Sequence, residues 1–288
     1  MSRVRIVVAT EVVLFLGLIA FVIAAFLVER AAGLEGPISL GPMARIALAA
    51  APSALWLGYF RAQESQERDP LPLVLVMFLA GALIAGPLAS FAVDQALRPD
   101  VAAGPDFDRF GAERLVTAFL VVAVAQELCK YAAVRYTVFS LPDLGSPIDG
   151  MIYTTAVGLG FATFRAHVYL SDLDGQVVLS LAAARVAVTT LAHACFAAFL
   201  GLAIGWAKFS SRTAWRRNLV LLAGLLVAVG LNGGFSVAEA AVSVPGLAFE
   251  PWRSVAFGFG FAAAVLILFS FVLRRTLRAM ARAGATTA

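Results

Sequence analysis

The sequence has few charged residues, and this scarcity excludes a soluble protein of ordinary composition. Only 14% of its 288 residues are Asp, Glu, Lys or Arg, whereas 61% are hydrophobic, and the mean hydropathy is +0.89. A soluble fold of this size cannot bury so large a share of apolar side chains. The composition therefore predicts an integral membrane protein, with the lipid bilayer as its first partner.

Cysteine, histidine and lysine are also rare. Cys129 and Cys195 are the only cysteines, and both fall in predicted spans, so no disulfide framework or cysteine-based metal site is implied. Only Lys130 and Lys208 are lysines among 22 basic residues, a bias that suggests a GC-rich bacterial genome. The net charge of +4 forms no basic stripe, so we expect no nucleic-acid partner.

Long apolar runs make up most of the sequence. Runs of about 18 residues or more recur without strand-like alternation, so the predicted spans are α-helices. We expect an all-α, polytopic membrane helix bundle of about eight transmembrane helices that forms a single domain over residues 1–288. The predicted spans are 6–28, 43–60, 73–93, 115–134, 151–170, 177–207, 218–241 and 254–273.

The positions of the basic residues predict the orientation. Basic loops tend to stay on the cytoplasmic side, and most of the Arg and Lys residues near span ends fall on the face that would hold both termini. We therefore expect a multi-pass protein of the bacterial cytoplasmic (inner) membrane with both termini in the cytoplasm.

Three polar residues interrupt the apolar run Val121–Tyr136. Gln126, Glu127 and Lys130 lie three and four residues apart, so they share one helix face. An ionisable side chain at membrane depth costs at least about 2.5–3.5 kcal/mol on insertion scales, and it is rare unless it faces a cavity or a partner. This face is the candidate site.

Other polar residues in later spans can converge on the same cavity. They are Arg165 and His167 on the fifth span, Arg185, Thr189 and His193 on the sixth, and Asn232 on the seventh. Each of them also has a structural interpretation, as an interfacial anchor, a hydrogen-bonded core residue or a helix break.

Three sequence motifs resemble those of the PrsW-type intramembrane peptidases, a family related to the CAAX prenyl endopeptidases. They are AQELCK (Ala125–Lys130), DGMIYTTAVGLGFATFRAHVYL (Asp149–Leu170) and LAHACFAAFLGLAIG (Leu191–Gly205). The resemblance covers roughly residues 51–207, with the spans 218–241 and 254–273 as additions. It implies peptide hydrolysis inside the membrane, with carboxylates and an intramembrane histidine activating a water molecule.

The chain departs from the family pattern at two positions. The pattern Glu-Glu-x-x-Lys begins here with Gln126, and the glutamate of Phe-x-x-x-Glu is Arg165, four residues after Phe161. What remains of the implied catalytic set is Glu127, Lys130 and His193. The later-span histidine of the family aligns loosely with Asn232.

These departures change the chemistry that is expected. A zinc ion is suggested only by analogy with the family. Gln126 and Arg165 argue against zinc, because the amide of Gln126 cannot ionise and Arg165 is a permanent cation. We therefore assign no metal ligand. Arg165 is predicted to form an ion pair with Glu127. The candidate substrate-binding or structural residues at the site are Gln126, Arg165, Arg185 and Asn232.

The residues leave more than one function open. The first is a PrsW-like peptidase, a hydrolase that cuts a membrane-embedded substrate, with Glu127 as general base and His193 orienting groups or stabilising the oxyanion. The second is a non-catalytic family member, a pseudoenzyme that binds or scaffolds a membrane protein. A transporter or channel is the third, but no inverted repeat supports it. Whether the chain is active, its substrate, metal dependence and oligomeric state are not fixed by the sequence.

Overall fold

The structure is a computed structural model. It describes residues 3–34, 36–63, 71–96, 121–173, 175–209 and 213–242, together with 256–261, 263–265, 267–268, 271–272 and 275.

The described chain is a helix bundle, which confirms the all-α prediction. A π-helical turn, Gly81–Ala85, joins the third and fourth helices into one long helix. The helices are α1 (Arg3–Ala31), α2 (Pro42–Gln63), α3 (Leu71–Ala80), α4 (Gly86–Ala96), α5 (Val124–Thr137), α6 (Pro147–Asp172), α7 (Leu179–Phe209) and α8 (Ala214–Val242).

A two-residue antiparallel ladder accompanies the helices. Strand β1 (Ile38–Ser39) pairs with β2 (Gln176–Val177), and Ile38 lies opposite Val177. The helical run that we expected to begin at Val177 therefore begins at Leu179 as α7.

Three of the described helices are long and apolar enough to cross a membrane: Leu71–Ala96, Leu179–Phe209 and Ala214–Ala238. A shorter apolar helix, Ala256–Val265, lies in the last predicted span. The count of about eight spans stays a prediction, and part of the fourth predicted span, 115–120, lies outside the described residues.

The centre of the bundle is the antiparallel pair of α6 and α7, whose backbones touch. A Cβ at Gly158 would lie within 2.8 Å of the carbonyl oxygen of His193, and a Cβ at Gly201 would lie within 2.8 Å of the side chain of Thr154. Only glycine permits this approach, as is common between membrane helices. The close packing fixes the level of His193 beside the middle of α6.

Hydrogen bonds tie the surrounding helices to this pair. Ser53, next to the helix-interior Pro52 of α2, donates to the carbonyl oxygen of Leu159 at 3.2 Å, and its hydroxyl lies 2.8 Å from that of Thr163. At the end of α1, Glu29 Oε2 accepts from the backbone N–H of Ser180 at 2.8 Å and so satisfies a donor in the first turn of α7.

The start of α6 carries a capping box. Asp149 N–H donates to the Ser146 hydroxyl, and the Ser146 N–H donates to Asp149 Oδ2 at 2.7 Å. Pro147 follows the cap, where a missing N–H costs nothing. The sequence SPID therefore starts α6 at a defined residue and sets the register of the residues that follow.

Helix α8 packs on α7 at more than one level, and at Gly224 a Cβ would overlap the side chain of Ala203 on α7. None of residues 214–227 is buried, all of which the structure describes, whereas Ala228, Val229, Asn232 and Phe235 are buried. The ring of Phe235 lies edge-on to Phe196 of α7, with the ring centroids 6.1 Å apart. The most deeply buried stretch of α8 is therefore the one that carries Asn232.

Candidate active site

Helix α5 turns its polar face into the bundle, as the spacing predicted. Glu127 and Lys130 are fully buried, and Gln126 is 6% exposed. Leu128, on the other side of the same helix, is exposed. The three polar residues therefore face protein and not lipid, which is the arrangement that makes charges in a membrane helix tolerable.

Lys130 connects α5 with α7. Its Nζ atom lies 2.5 Å from Glu127 Oε1 and 3.3 Å from His193 Nδ1. An ammonium group can only donate, so Nδ1 of His193 is the acceptor and the neutral ring carries its hydrogen on Nε2. The lysine thus compensates the carboxylate and also selects the tautomer of the histidine.

Asn232 brings α8 into the same cluster. Its Nδ2 atom donates to Gln126 Oε1 at 3.0 Å and to Glu127 Oε1 at 2.8 Å. Oε1 of Glu127 is therefore held from two directions, by the ammonium of Lys130 and by the amide of Asn232. We call Gln126, Glu127, Lys130, His193 and Asn232 the polar cluster.

Aromatic rings enclose the polar cluster. The ring of Phe161 lies 5.0 Å from Lys130 Nζ and, edge-on, 5.0 Å from the ring of His193. The ring of Phe196 lies 5.8 Å from that of His193, also edge-on. The face of Phe161 attracts the ammonium, and both rings exclude water, so charges here act in a weakly screened environment.

One carboxylate oxygen in the polar cluster has no hydrogen-bond donor. Oε2 of Glu127 is buried, and among the described residues no donor reaches it. Buried polar atoms in folded proteins are nearly always paired, so such an oxygen calls for an explanation in terms of function or a bound water. It is the acceptor that a water or substrate N–H could use.

Two of the residues expected at the site, Arg165 and Arg185, are not among the residues of the polar cluster. Arg165 lies one turn past Phe161 on α6, and its side chain is exposed. The described partners of Glu127 are Lys130 and Asn232, and the ion pair with Arg165 stays a prediction. The guanidinium of Arg185 stacks instead on the ring of Tyr169, at 4.6 Å.

Sequence reasoning did not select two residues that the structure places around His193. In the sequence Phe161 stands out only as the first residue of the Phe-x-x-x-Glu pattern, and Phe196 belongs to no polar pattern. The signal for Phe161 was its position four residues before Arg165, which puts both on one face of α6. No signal in the sequence marked Phe196, because one phenylalanine among 22 in an apolar chain is not distinctive.

The polar cluster does not suit a divalent metal ion. A catalytic zinc takes three protein ligands in most sites, and the cluster offers one carboxylate and one imidazole. The ammonium of Lys130 already lies between these two groups, in contact with both. Among the described residues, no group of three His, Cys, Asp or Glu side chains could hold a metal ion.

Comparison with known proteins places this arrangement in a family. Residues 69–248 match the family profile described as "PrsW family intramembrane metalloprotease". The chain is 32% identical over 188 residues to Protease PrsW of Geobacillus kaustophilus (strain HTA426), covering 65% of this chain and 76% of that protein.

Two further relatives carry the same name. The chain is 27% identical over 197 residues to Protease PrsW of Shouchella clausii (strain KSM-K16), which covers 67% of this chain and 82% of the relative. For Protease PrsW of Bacillus subtilis (strain 168) the identity is 26% over 193 residues, or 67% of this chain and 81% of the relative. No solved structure matches the chain. The matches and the apolar helices together show that the chain belongs to the PrsW family of bacterial membrane proteins.

Proposed function

We propose that the protein is an intramembrane peptidase that hydrolyses a peptide bond of a membrane-embedded substrate without a metal ion. The observation that carries this proposal is the polar cluster. Side chains from α5, α7 and α8 meet inside an apolar bundle, and no donor from the residues that the structure describes reaches one carboxylate oxygen of Glu127. Family membership supplies the reaction class.

Glu127 acts as the general base in this proposal. Its Oε2 atom accepts a proton from a water molecule while the water oxygen attacks the carbonyl carbon of the peptide bond. When the carbon–nitrogen bond breaks, the same carboxyl group returns the proton to the departing amine. Lys130 and Asn232 fix Oε1 and so leave Oε2 as the reactive oxygen.

His193 and Lys130 supply the donors for the negative charge on the substrate oxygen. The Nε2–H of His193 is directed away from Lys130 because Nδ1 accepts from the lysine. The ammonium of Lys130 has three N–H bonds, of which Glu127 and His193 use two. Donors fixed before the reaction and shielded from water are the strongest form of transition-state stabilisation.

The substrate in this proposal is a membrane-embedded peptide segment, and the protein is a multi-pass protein of the bacterial inner membrane with both termini in the cytoplasm. The excess of basic residues on the face of the termini supports the orientation. The full burial of Glu127 and Lys130 supports a substrate that arrives through the membrane.

Reconstituted protein provides the test. The purified chain is incubated in liposomes with a single-span membrane protein, and cleavage fragments are identified by mass spectrometry. We expect Glu127→Gln and His193→Ala to reduce turnover by at least about 100-fold, because general base and oxyanion donor each contribute about that much. Cys129→Ala on α5 is the matched control and should keep full turnover.

Equal cleavage by wild type, Glu127→Gln and His193→Ala would refute the proposed site. Cleavage should also survive dialysis against a chelator, since the polar cluster lacks the ligands for a metal ion. Loss of activity on dialysis, with recovery on adding zinc, would contradict the metal-independent mechanism.

A non-catalytic family member that binds a membrane protein is the second candidate. It is favoured by Gln126, which cannot ionise, and by Lys130, which already neutralises the remaining carboxylate. In that case wild type would bind a single-span protein but not cleave it. The double variant Gln126→Glu/Arg165→Glu restores the family pattern and should then gain cleavage activity.

A further inference from the structure

One face of α7 stays partly open over the half of the helix that precedes His193. Over residues 180–198, all of which the structure describes, every residue is buried except Leu181, Arg185 and Thr189. These three residues are spaced four apart, and His193 is the next step of the same series, so they form one stripe on the helix. The stripe connects the beginning of α7 with the polar cluster.

Helix α6 is open on the side of this stripe. Arg165 is exposed, and Tyr169 follows it by four residues on the same face of α6. The guanidinium of Arg185 lies over the ring of Tyr169, 4.6 Å from its centroid, so the two arginines share this side of the α6–α7 pair. We call Arg165, Tyr169, Arg185 and Thr189 the arginine track.

The two arginines lie at different distances from the polar cluster. Phe161 and His193 are at one level, since their ring centroids are 5.0 Å apart. Arg165 follows Phe161 by four residues and Arg185 precedes His193 by eight, so at about 1.5 Å per residue they lie about 6 Å and about 12 Å from that level. Both displacements are in the same direction, because α6 and α7 are antiparallel.

These distances fit alternate side chains of an extended peptide. Such a peptide advances about 3.3 Å per residue, so the arginines lie about two and about four residues away from a bond held beside His193. Residues two apart in an extended chain point to the same side, and both could therefore face the arginine track.

The charge of the arginine track selects the chemistry of its ligand. Each guanidinium is a permanent cation with planar donors that pair with both oxygens of a carboxylate. Arg165 stands where the family pattern has a glutamate, so the preference for an acidic ligand belongs to this chain and not to the pattern.

We infer that Arg165 and Arg185 are specificity-determining residues that bind two acidic side chains of the substrate, spaced as Glu-x-Glu, at the end of the bundle where α6 ends and α7 begins. The inference rests on the proposed function for the reaction, and it adds the charge and spacing of the substrate residues beside the cleaved bond.

Peptide binding tests the arginine track without relying on turnover. His193→Ala protein, which should bind a substrate without cutting it, is reconstituted in phosphatidylcholine liposomes and titrated with fluorescent single-span peptides. The peptides differ only in a short segment at one end of the apolar span, which carries Glu-x-Glu, Gln-x-Gln, Lys-x-Lys or Glu-x-x-Glu.

The Glu-x-Glu peptide should bind about tenfold more tightly than the Gln-x-Gln peptide, because each partly exposed ion pair contributes up to about fivefold. The Glu-x-x-Glu peptide has the same charge but should bind more weakly than Glu-x-Glu, since residues three apart in an extended chain point to opposite sides.

Reversing the charge of the track should reverse the preference. The double variant Arg165→Glu/Arg185→Glu should bind Lys-x-Lys more tightly than Glu-x-Glu, a result that a misfolded protein cannot give. Arg165→Glu alone should weaken Glu-x-Glu binding at least about fivefold.

Arg30→Glu is the matched control for the single variant. Arg30 is exposed at the end of α1, and its guanidinium lies 5.5 Å from the ring centroid of Phe26. It lies at the same end of the bundle, because the neighbouring Glu29 accepts from the backbone N–H of Ser180. The same change of charge outside the track should leave the peptide preference as it is.

Equal affinity for the Glu-x-Glu and Gln-x-Gln peptides would overturn the inference, and so would an Arg30→Glu effect as large as that of Arg165→Glu. Absence of a peptide preference, together with binding of labelled phosphatidylglycerol that the double variant loses, would assign the arginines to lipid phosphates instead.

Turnover separates this inference from the proposed function. Where cleavage is measurable, Glu-x-Glu should raise kcat/KM about tenfold over Gln-x-Gln, with the cut about two residues from the nearer glutamate. Charge-selective binding by a wild type that cleaves no peptide would refute the proposed function and leave the acidic ligand of the track supported. Cleavage without any charge preference would refute the inference alone.

Discussion

The polar cluster combines a deeply buried helix pair with a helix at the side of the bundle. Helix α7 is buried along most of its length and touches α6 backbone to backbone, whereas the buried side chains among the described residues of α8 lie between Ala228 and Phe235. His193 and Phe161 sit on the buried pair, and Asn232 sits on α8. Catalytic geometry needs precise placement, and the close packing of α6 on α7 provides it for His193 and Phe161.

The distribution of the polar cluster over three helices also explains how the protein keeps two charges in its interior. Glu127 and Lys130 come from the same helix, three residues apart, so their pairing does not depend on how other helices pack. The links to α7 and α8, through His193 and Asn232, are made by neutral groups. Loss of either link therefore leaves both charges with their counter-ion.

Breaking the ion pair should produce the largest effect on the whole molecule. Glu127→Gln leaves the ammonium of Lys130 buried without a counter-ion, and losing one partner of a buried pair costs about 3–5 kcal/mol of unfolding free energy. Equilibrium unfolding in mixed micelles measures this loss.

The double variant Glu127→Gln/Lys130→Met separates stability from activity. Removing both charges should recover most of the unfolding free energy, because no unpaired charge remains, while turnover stays lost. If Glu127→Gln is as stable as wild type, the buried pair described here is not formed in the protein.

Substituting glycines sharpens the contrast between the two regions. Gly158→Ala places a methyl group against the carbonyl of His193 and should cost about 1–3 kcal/mol, as overpacking does. Gly230→Ala enters open space on α8 and should be neutral or raise stability by up to about 1 kcal/mol. Thermal unfolding of the two variants side by side measures the difference, and equal effects would remove the contrast.

The smallest effect is expected at the start of α6. Ser146→Ala removes the capping box and should cost about 1 kcal/mol, with turnover unchanged. Phe161 lies 15 residues further along α6, about 22 Å away, so the loss should not reach the polar cluster. Ser171→Ala near the other end of α6 is a suitable control, since the described hydrogen bond of its hydroxyl goes to the backbone carbonyl of His167 within the same helix. A loss of turnover in Ser146→Ala would show that the cap also sets the site geometry.

Much of the site was readable from helical spacing and the family motifs. The shared face of Gln126, Glu127 and Lys130 follows from intervals of three and four residues, and the structure turns that face inward. His193 was identified by its motif and lies in contact with Lys130. These placements could be predicted because they concern residues of one helix or a residue that a family motif contains.

The relations between helices were harder to predict. Arg185 shares a helical face with His193, yet eight residues separate them by about 12 Å along α7, and the structure stacks Arg185 on Tyr169. Asn232 was only loosely aligned from the sequence, and it provides the hydrogen bonds from α8 to α5. Spacing gives the direction of a side chain around its helix but not the helix that it meets.

The sequence by itself determined an all-α membrane protein of the PrsW family with a polar face on α5, because composition, periodicity and motifs are properties of the chain alone. Only the tertiary structure decided that Lys130 contacts His193, that Asn232 holds Glu127, and that no donor in the described part of the chain reaches Oε2 of Glu127. These facts depend on how glycine contacts set the spacing and level of neighbouring helices, and packing of that kind is a property of the assembled bundle.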